Sequence, residues 1–229
     1  MDTVLKDLAE DCLAVHSWGV WFYVLKDRED LYLIDTGFVG ADRALKTALA
    51  ERGWDHLPIR GILLTHGHLD HVRNAARFAR RDGAWIASPS GDRNRCESRI
   101  PSRPRLKPVD WIENAGRILL HFEPFTPDRL VADGDEFTIW QGLRAVALPG
   151  HTAGHTGYWC ETLGILFCGD LFASYGNFSH RPPCFLNEDS ATARGSIHRA
   201  LDLNPRGVLP HHHDGASPEE HLRRLRRLA

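Results

Sequence analysis

The chain has 229 residues, of which 42% are hydrophobic and 25% are charged, and its formal net charge is -2. This composition is typical of a folded globular protein and excludes a largely disordered chain, because apolar side chains are plentiful and the net charge is small. The 28 basic and 30 acidic residues indicate neither a nucleic-acid partner nor an anionic membrane surface. The unusual feature is the count of 14 histidines, eight of which lie in three short clusters.

Cysteine usage and hydropathy indicate the compartment. The five cysteines are odd in number and show no CxxC spacing, which favours a reducing compartment over a disulfide framework. No apolar run reaches the roughly 18 residues of a membrane span, and the first residues show no apolar core of a signal peptide. We therefore expect a cytoplasmic protein that acts on a small molecule and has no nucleic-acid or membrane partner; the sequence leaves its oligomeric state open.

The first half of the chain predicts strands followed by strand–helix units. Three β-branched and aromatic runs at the start predict strands: CLAVH, VWFYVLK and DLYLIDTG. Residues 41–53 have helical spacing of alanine and leucine, and IRGILLT then predicts a buried strand. The segments VRNAARFARRDG and AWIAS predict a further helix and strand. Pro, Arg and Ser are frequent over residues 88–113, where we expect an irregular insertion that can contain a short helix.

The second half is again rich in predicted strands: RILLHF, DRLV, DEFTIW, LRAVALPG, the hairpin-like pair YWCET and GILFCGD, and RGVLP. Two helices are expected, one over residues 187–203 with Asn187 as its cap and a last one capped by Ser217. Strands outnumber helices, and each half carries its own set. This pattern favours two packed sheets with helices outside over a single parallel sheet. We expect residues 1–229 to form one domain.

The densest histidine cluster, THGHLDH at residues 65–71, directly follows a buried apolar strand. Neutral imidazole and carboxylate are common ligands of zinc and iron. A strand end delivers His66 and His68 to one side, because they are two residues apart. A turn into the next helix can bring Asp70 and His71 to a second metal-binding position. Four such ligands are more than one ion takes from a single segment, so the motif indicates two metal ions.

Three further strand ends deliver histidine or aspartate. The segment LPGHT presents His151, with His155 four residues later, FCGD ends at Asp170, and LPHHH ends in His211, His212 and His213. Each signal alone is weak, because a histidine in a turn is usually exposed to solvent. Loops at strand ends, however, are where active sites are commonly built. The four strand ends together therefore predict one site.

With these motifs in this order, the chain resembles the metallo-β-lactamase-fold metallohydrolase superfamily, and PGHTAGHTG is similar to its glyoxalase II branch. The resemblance implies an α/β fold, a four-layer αββα sandwich of two mixed β-sheets flanked by helices. It implies two metal sites: His66, His68 and His151 for the first ion, Asp70 and His71 for the second, and Asp170 between them. The last ligand would come from residues 211–213, where the family's Pro-x-His pattern selects His212.

The resemblance also implies roles for residues around the ligands. Asp35, in LIDTG after an early strand, would orient the ligands through hydrogen bonds, with a simple turn residue as the alternative. Asp70, besides binding metal, is the expected catalytic residue that orients the attacking hydroxide. Tyr175 is a candidate donor to a substrate oxyanion, with a packing role as the alternative. His155 would either bond to the site or lie at the surface.

Two divalent ions, expected to be zinc with iron or manganese as alternatives, would hold a water and lower its pKa towards about 7. We therefore predict a binuclear metal-dependent hydrolase that cleaves a thioester, ester or lactone. The alternatives are a mononuclear iron enzyme of the persulfide dioxygenase type, β-lactam or phosphodiester hydrolysis on the same fold, and a non-catalytic binding protein. Only 17 residues follow His212. We therefore expect no helical domain like the one that shapes the glutathione site of true glyoxalase II.

Overall fold

The computed structural model describes residues 10–98 and 108–229, and its first sheet contains six strands in the order of the chain. These strands are β1 (Cys12–Ser17), β2 (Val20–Asp27), β3 (Asp30–Ile34), β4 (Ile59–Leu63), β5 (Trp85–Pro89) and β6 (Arg129–Val131). The pairs β1–β2 and β2–β3 are antiparallel, and the pairs from β3 to β6 are parallel. The first sheet is therefore mixed.

The second sheet contains five strands in the spatial order β11-β10-β9-β8-β7. These strands are β7 (Glu136–Phe137), β8 (Leu143–Ala147), β9 (Thr156–Cys160), β10 (Ile165–Ser174) and β11 (Gly207–His213). The last strand pairs parallel with β10, and the other pairs are antiparallel. The second sheet is also mixed.

Three apolar cores separate four layers. The helices are α1 (Ala41–Arg52), α2 (Leu69–Val72), α3 (Ala75–Asp82), α4 (Arg93–Glu97), α5 (Pro108–Leu119), α6 (Ser190–Asp202) and α7 (Pro218–Arg226). One core joins the first sheet to α1 and α3, a second lies between the sheets, and a third joins the second sheet to α6 and α7. Alternate residues of β2 show the layering, because Phe22 belongs to the first core and Tyr23 to the second. The predicted αββα sandwich is confirmed.

The stretch 88–113 contains the end of β5, a 3-10 turn over Ser90–Asp92, α4 and the start of α5. The part of the predicted insertion at 99–107 lies outside the described residues. None of the helices in the two described ranges is long and apolar enough to cross a membrane.

Two local predictions are wrong. RILLHF is not a strand, because its first residues complete α5. Arg117 is fully buried, pairs with Glu113 one helical turn earlier, and donates to the carbonyl of Gly67, contacts that favour the helix over a strand. Asn187 does not cap α6; Asp189 does, by accepting from the backbone of the first turn. The predicted cap Ser217 of α7 is confirmed.

Candidate metal centre

The four predicted strand ends meet in space. Residues 65–71 follow β4, His151 follows β8, Asp170 lies within β10, and His212 lies near the end of β11. Gly169 has a φ of 55°, in the left-handed region, and the register between β10 and β11 shifts on both sides of it. This irregularity delivers Asp170 to the centre from the middle of a strand.

The first group of facing atoms comes from three histidines. The ligand atoms of His66, His68 and His151 all lie within 4.8 Å of one another. Nε2 of His66 is 3.1 Å from Nδ1 of His68. These are the residues that the sequence assigned to the first ion.

The second group contains Asp70, His71 and His212. Oδ2 of Asp70 lies 3.5 Å from Nε2 of His71 and 3.4 Å from Nε2 of His212. Among the three consecutive histidines it is therefore His212 that faces the centre. Buried His211 instead has its Nε2 atom 3.1 Å from Oδ2 of Asp35, and His213 stacks on Trp21.

Asp170 lies between the two groups. Its Oδ2 atom is 3.6 Å from Nε2 of His151 and 3.3 Å from Nε2 of His212, and its Oδ1 atom is 3.4 Å from Nε2 of His71. Tetrahedral zinc, with bonds of about 2.0–2.1 Å, places its ligand atoms roughly 3.3 Å apart. The spacing of the facing atoms therefore suits bound cations.

Unpartnered buried atoms give an independent test of this fit. Nε2 of His71, Nε2 of His151 and Oδ1 of Asp170 are buried and have no hydrogen-bond partner. A buried polar atom without a partner costs about 1–3 kcal/mol. Metal ions bound by the two groups would satisfy all three atoms, so the residues fit metal ions.

The outward-facing ring nitrogens of four histidines make hydrogen bonds that leave the inward nitrogen free to bind metal. Each donates from Nδ1 to an oxygen: His66 to Oγ1 of Thr65, His71 to Oδ2 of Asp35, His151 to Oδ1 of Asn187, and His212 to the carbonyl of Gly19. With the proton on Nδ1, the lone pair of Nε2 points to the centre. The site is thus organised beyond the ligands themselves.

The electrostatics differ between the two groups. Burial lowers the pKa of His66 and His68, and it lowers the pKa of His151 to about 4. These rings are therefore neutral at pH 7, as metal ligands must be. The pKa of His71 and of His212 is raised, because the neighbouring carboxylates outweigh the opposing effect of burial. The second group therefore attracts positive charge.

Asp35 makes the contacts expected of a residue that orients ligands. It is fully buried; Oδ1 accepts from the backbone N–H of Thr65 at 2.7 Å, and Oδ2 lies 2.8 Å from Nδ1 of His71. Its φ is 60°, which aspartate tolerates better than most residues. The turn and the hydrogen bonding are therefore both properties of this residue, rather than alternatives.

Sequence reasoning missed Asn187 as a partner of His151, because the residues are 36 positions apart and Asn187 was assigned to a helix cap. For His155, the sequence left two alternatives, and the structure buries the residue completely. Its Nε2 atom accepts from the backbone N–H of Asp170. Cys168 packs in the core beneath α6 and α7.

Two cavities open on the centre. The larger, about 510 Å³, has a mostly apolar wall that includes Trp18, Phe38 and Ile112. The smaller, about 260 Å³, contains Tyr175. His151, Asp170 and His212 line both cavities. A small molecule bound in either cavity therefore lies beside the facing atoms.

Comparison with known proteins gives consistent relatives. A sequence model of the metallo-beta-lactamase superfamily matches residues 18–224. A hydroxyacylglutathione hydrolase of Methylococcus capsulatus is 30% identical over 159 residues, which cover 67% of this chain and 51% of the relative. A probable metallo-hydrolase of Bacillus subtilis, YybB, is 28% identical over 172 residues, which cover 74% of this chain and 67% of the relative.

A solved metallo-beta-lactamase family protein of Thermus thermophilus has a TM-score of 0.70 at 22% identity, with 95% of this chain and 78% of that chain covered. At this identity the likeness concerns the fold alone. The chain spans about half the length of the hydroxyacylglutathione hydrolases that it matches.

Proposed function

The chain belongs to the metallo-β-lactamase superfamily, and from this premise we propose that it is a binuclear metal-dependent hydrolase of a thioester, ester or lactone. One observation carries the proposal: two groups of three facing side chains lie on either side of one carboxylate, that of Asp170. In the proposal, His66, His68 and His151 would hold the first ion, and Asp70, His71 and His212 would hold the second. The carboxylate of Asp170 would serve both ions, which we expect to be zinc.

When bound, such ions lower the pKa of a shared water towards about 7 and polarise the oxygen of a scissile carbonyl. The chain itself supplies positioning. Asp35 holds the proton of His71 on Nδ1, and partly exposed Asp70 accepts a hydrogen bond from the attacking water. Tyr175, in the smaller cavity, donates its hydroxyl proton in a hydrogen bond to the substrate oxygen.

The mostly apolar wall of the larger cavity favours a substrate with an apolar acyl group. Trp18 and Phe38 stack with ring centroids 5.5 Å apart, and both line this cavity.

The proposal is tested by metal analysis of the purified protein followed by a panel of uncharged and anionic esters, thioesters and lactones. We expect two zinc ions per chain, and hydrolysis that a chelator abolishes and zinc restores. The variants Asp70→Asn and His71→Ala should lose at least about tenfold in rate, the lower range seen when metal sites are perturbed. Asp128→Asn is a matched control, because that carboxylate accepts from Ile86 on β5.

Unchanged hydrolysis in Asp70→Asn and His71→Ala would overturn the proposal. Anaerobic iron loading followed by oxygen uptake with a persulfide tests the iron oxygenase instead. Oxygen uptake without any ester hydrolysis would overturn the proposed hydrolase and support the iron oxygenase.

A further inference from the structure

Asp92 connects two loops that carry proposed ligands of the first ion. It lies in the 3-10 turn after β5 and is fully buried. Its Oδ2 atom accepts from the backbone N–H of Gly67 at 2.7 Å and from Oγ1 of Thr152 at 2.7 Å. Its Oδ1 atom accepts from the backbone N–H of Gly154 at 3.0 Å. One carboxylate therefore binds both loops at once.

The hydrogen-bond partners of Asp92 are sequence neighbours of the three histidines. Gly67 lies between His66 and His68, and Thr152 directly follows His151. The distance between the histidine pair and His151 thus depends on the hydrogen bonds of Asp92. Hydrogen bonds to a charged group are stronger than those between neutral groups, so these contacts hold the two loops firmly.

The loops approach too closely for any larger residue. A Cβ atom at Gly154 would lie 2.7 Å from the backbone nitrogen of Asp92, and one at Gly91 would lie 2.8 Å from Cα of Gly154. Both distances are shorter than van der Waals contact. The geometry of this junction is therefore determined by backbone contact and by the Asp92 carboxylate.

The peptide of Gly67 is held on its other side as well. Its carbonyl accepts from the guanidinium of buried Arg117 at 2.6 Å, while Glu113 accepts from the same guanidinium. Arg95 lies 3.8 Å from Asp92 and compensates its charge. Both the N–H and the carbonyl of Gly67, which lies between the two histidines, thus have charged partners.

We propose that Asp92 is a positioning residue for the first metal ion, as Asp35 is for the second. This role rests on the proposed function, because it presupposes that His66, His68 and His151 bind an ion. Asp92 does not contact that ion. It holds the loops of the three histidines at the separation that one ion requires.

The test is a set of zinc affinities measured by competition with a chelator. Asp92→Ala should lower the affinity for the first ion about 10–100-fold, the usual effect of removing a residue that orients ligands. Asp92→Asn keeps one acceptor oxygen and should recover part of this loss. Asp128→Ala is the matched control, and near-ultraviolet circular dichroism of the ion-free proteins checks folding.

Two backgrounds identify which ion is affected. The variant His71→Ala retains the first group of ligands, and there Asp92→Asn should still lower the affinity for the remaining ion. The variant His68→Ala retains the second group, and there Asp92→Asn should leave the affinity for the remaining ion unchanged. Equal losses in both backgrounds, or affinities in both Asp92 variants equal to that of Asp128→Ala, would overturn the role of Asp92.

The wild-type protein separates this proposal from the proposed function. If the wild-type protein binds two ions and the Asp92 variants bind them with unchanged affinity, only the positioning role is overturned. A wild-type protein that takes up no metal would overturn the binuclear hydrolase and, with it, the role of Asp92.

Discussion

His155 accepts a hydrogen bond from the backbone N–H of Asp170, with 3.0 Å between Nε2 and the amide nitrogen. Its other ring nitrogen, Nδ1, donates to the carbonyl of Leu148 at 2.9 Å. Burial lowers the pKa of His155 to about 4, so the ring is neutral at pH 7 and keeps its proton on Nδ1. The carboxylate between the two ligand groups is therefore positioned through its own backbone by this ring.

The substitution His155→Ala is expected to destabilise the fold. It leaves the N–H of Asp170 buried without a partner, which costs about 1–3 kcal/mol, and it also leaves a cavity. Urea unfolding of the ion-free protein measures the loss. His198→Ala, at an exposed position on α6, is the control. Equal unfolding midpoints for the two variants would contradict the structural importance of His155.

The substitution Asp35→Asn should lower the affinity for the second ion about 10–100-fold. Asparagine tolerates the φ of 60° at this position, so the backbone is expected to remain as it is. Its amide group, however, must turn an NH₂ towards either the N–H of Thr65 or Nδ1–H of His71. Stepwise zinc titration gives both affinities. Asp27→Asn, which changes a carboxylate that accepts from Trp140, should leave them unchanged.

If Asp35→Asn bound both ions as tightly as the wild-type protein, its hydrogen bond to His71 would have no part in metal binding. If Asp35→Asn lowered the affinity for the first ion only, the assignment of ligands to the two ions would be wrong.

Two buried tyrosines cross between the sheets to the segments that precede ligand residues. Tyr23 in the first sheet donates its hydroxyl to the carbonyl of Pro210 at 2.5 Å, and Tyr158 in the second donates to the carbonyl of Leu64 at 2.9 Å. Phenylalanine at either position should lower the free energy of unfolding by about 1 kcal/mol. Chemical denaturation is the measurement, with Tyr175→Phe as the more exposed control. A loss no larger than that of the control would contradict these two contacts.

The sequence predicted well which residues meet at the centre, because each belongs to a recognisable local pattern, although Asp170 lies within β10 and not at its end. The HxHxDH motif requires only the strand before it and the turn after it. The choice of His212 among three histidines needed the family pattern, and the structure supplies the reason. Its neighbours His211 and His213 contact Asp35 and Trp21 instead.

Two supporting residues, Asp92 and Asn187, were not predictable in the same way. Asp92 bonds to Gly67 and Thr152, which are 25 and 60 positions away, and a turn of polar residues gives no sign of such partners. The sequence analysis assigned Asp92 to an irregular insertion, because Pro, Arg and Ser are frequent around it. The strand prediction for RILLHF failed because its first residues complete α5, whose Arg117 bonds to the carbonyls of Arg95 and Gly67, 22 and 50 positions away.

The pH dependence of stability should include a contribution from His221. This buried ring lies 2.7 Å from Oγ of Ser174 and packs against His213. Burial and then the charge of Arg224 lower its pKa to about 4, against the opposing charge of Asp214. The folded protein therefore binds fewer protons than the unfolded chain between pH 4 and 6.5, and stability falls as the pH falls through this range, by about 3 kcal/mol at most. Urea unfolding of the ion-free protein at pH 7.5 and pH 5 measures the loss, which should be smaller in His221→Gln; an equal loss would exclude His221 as its source.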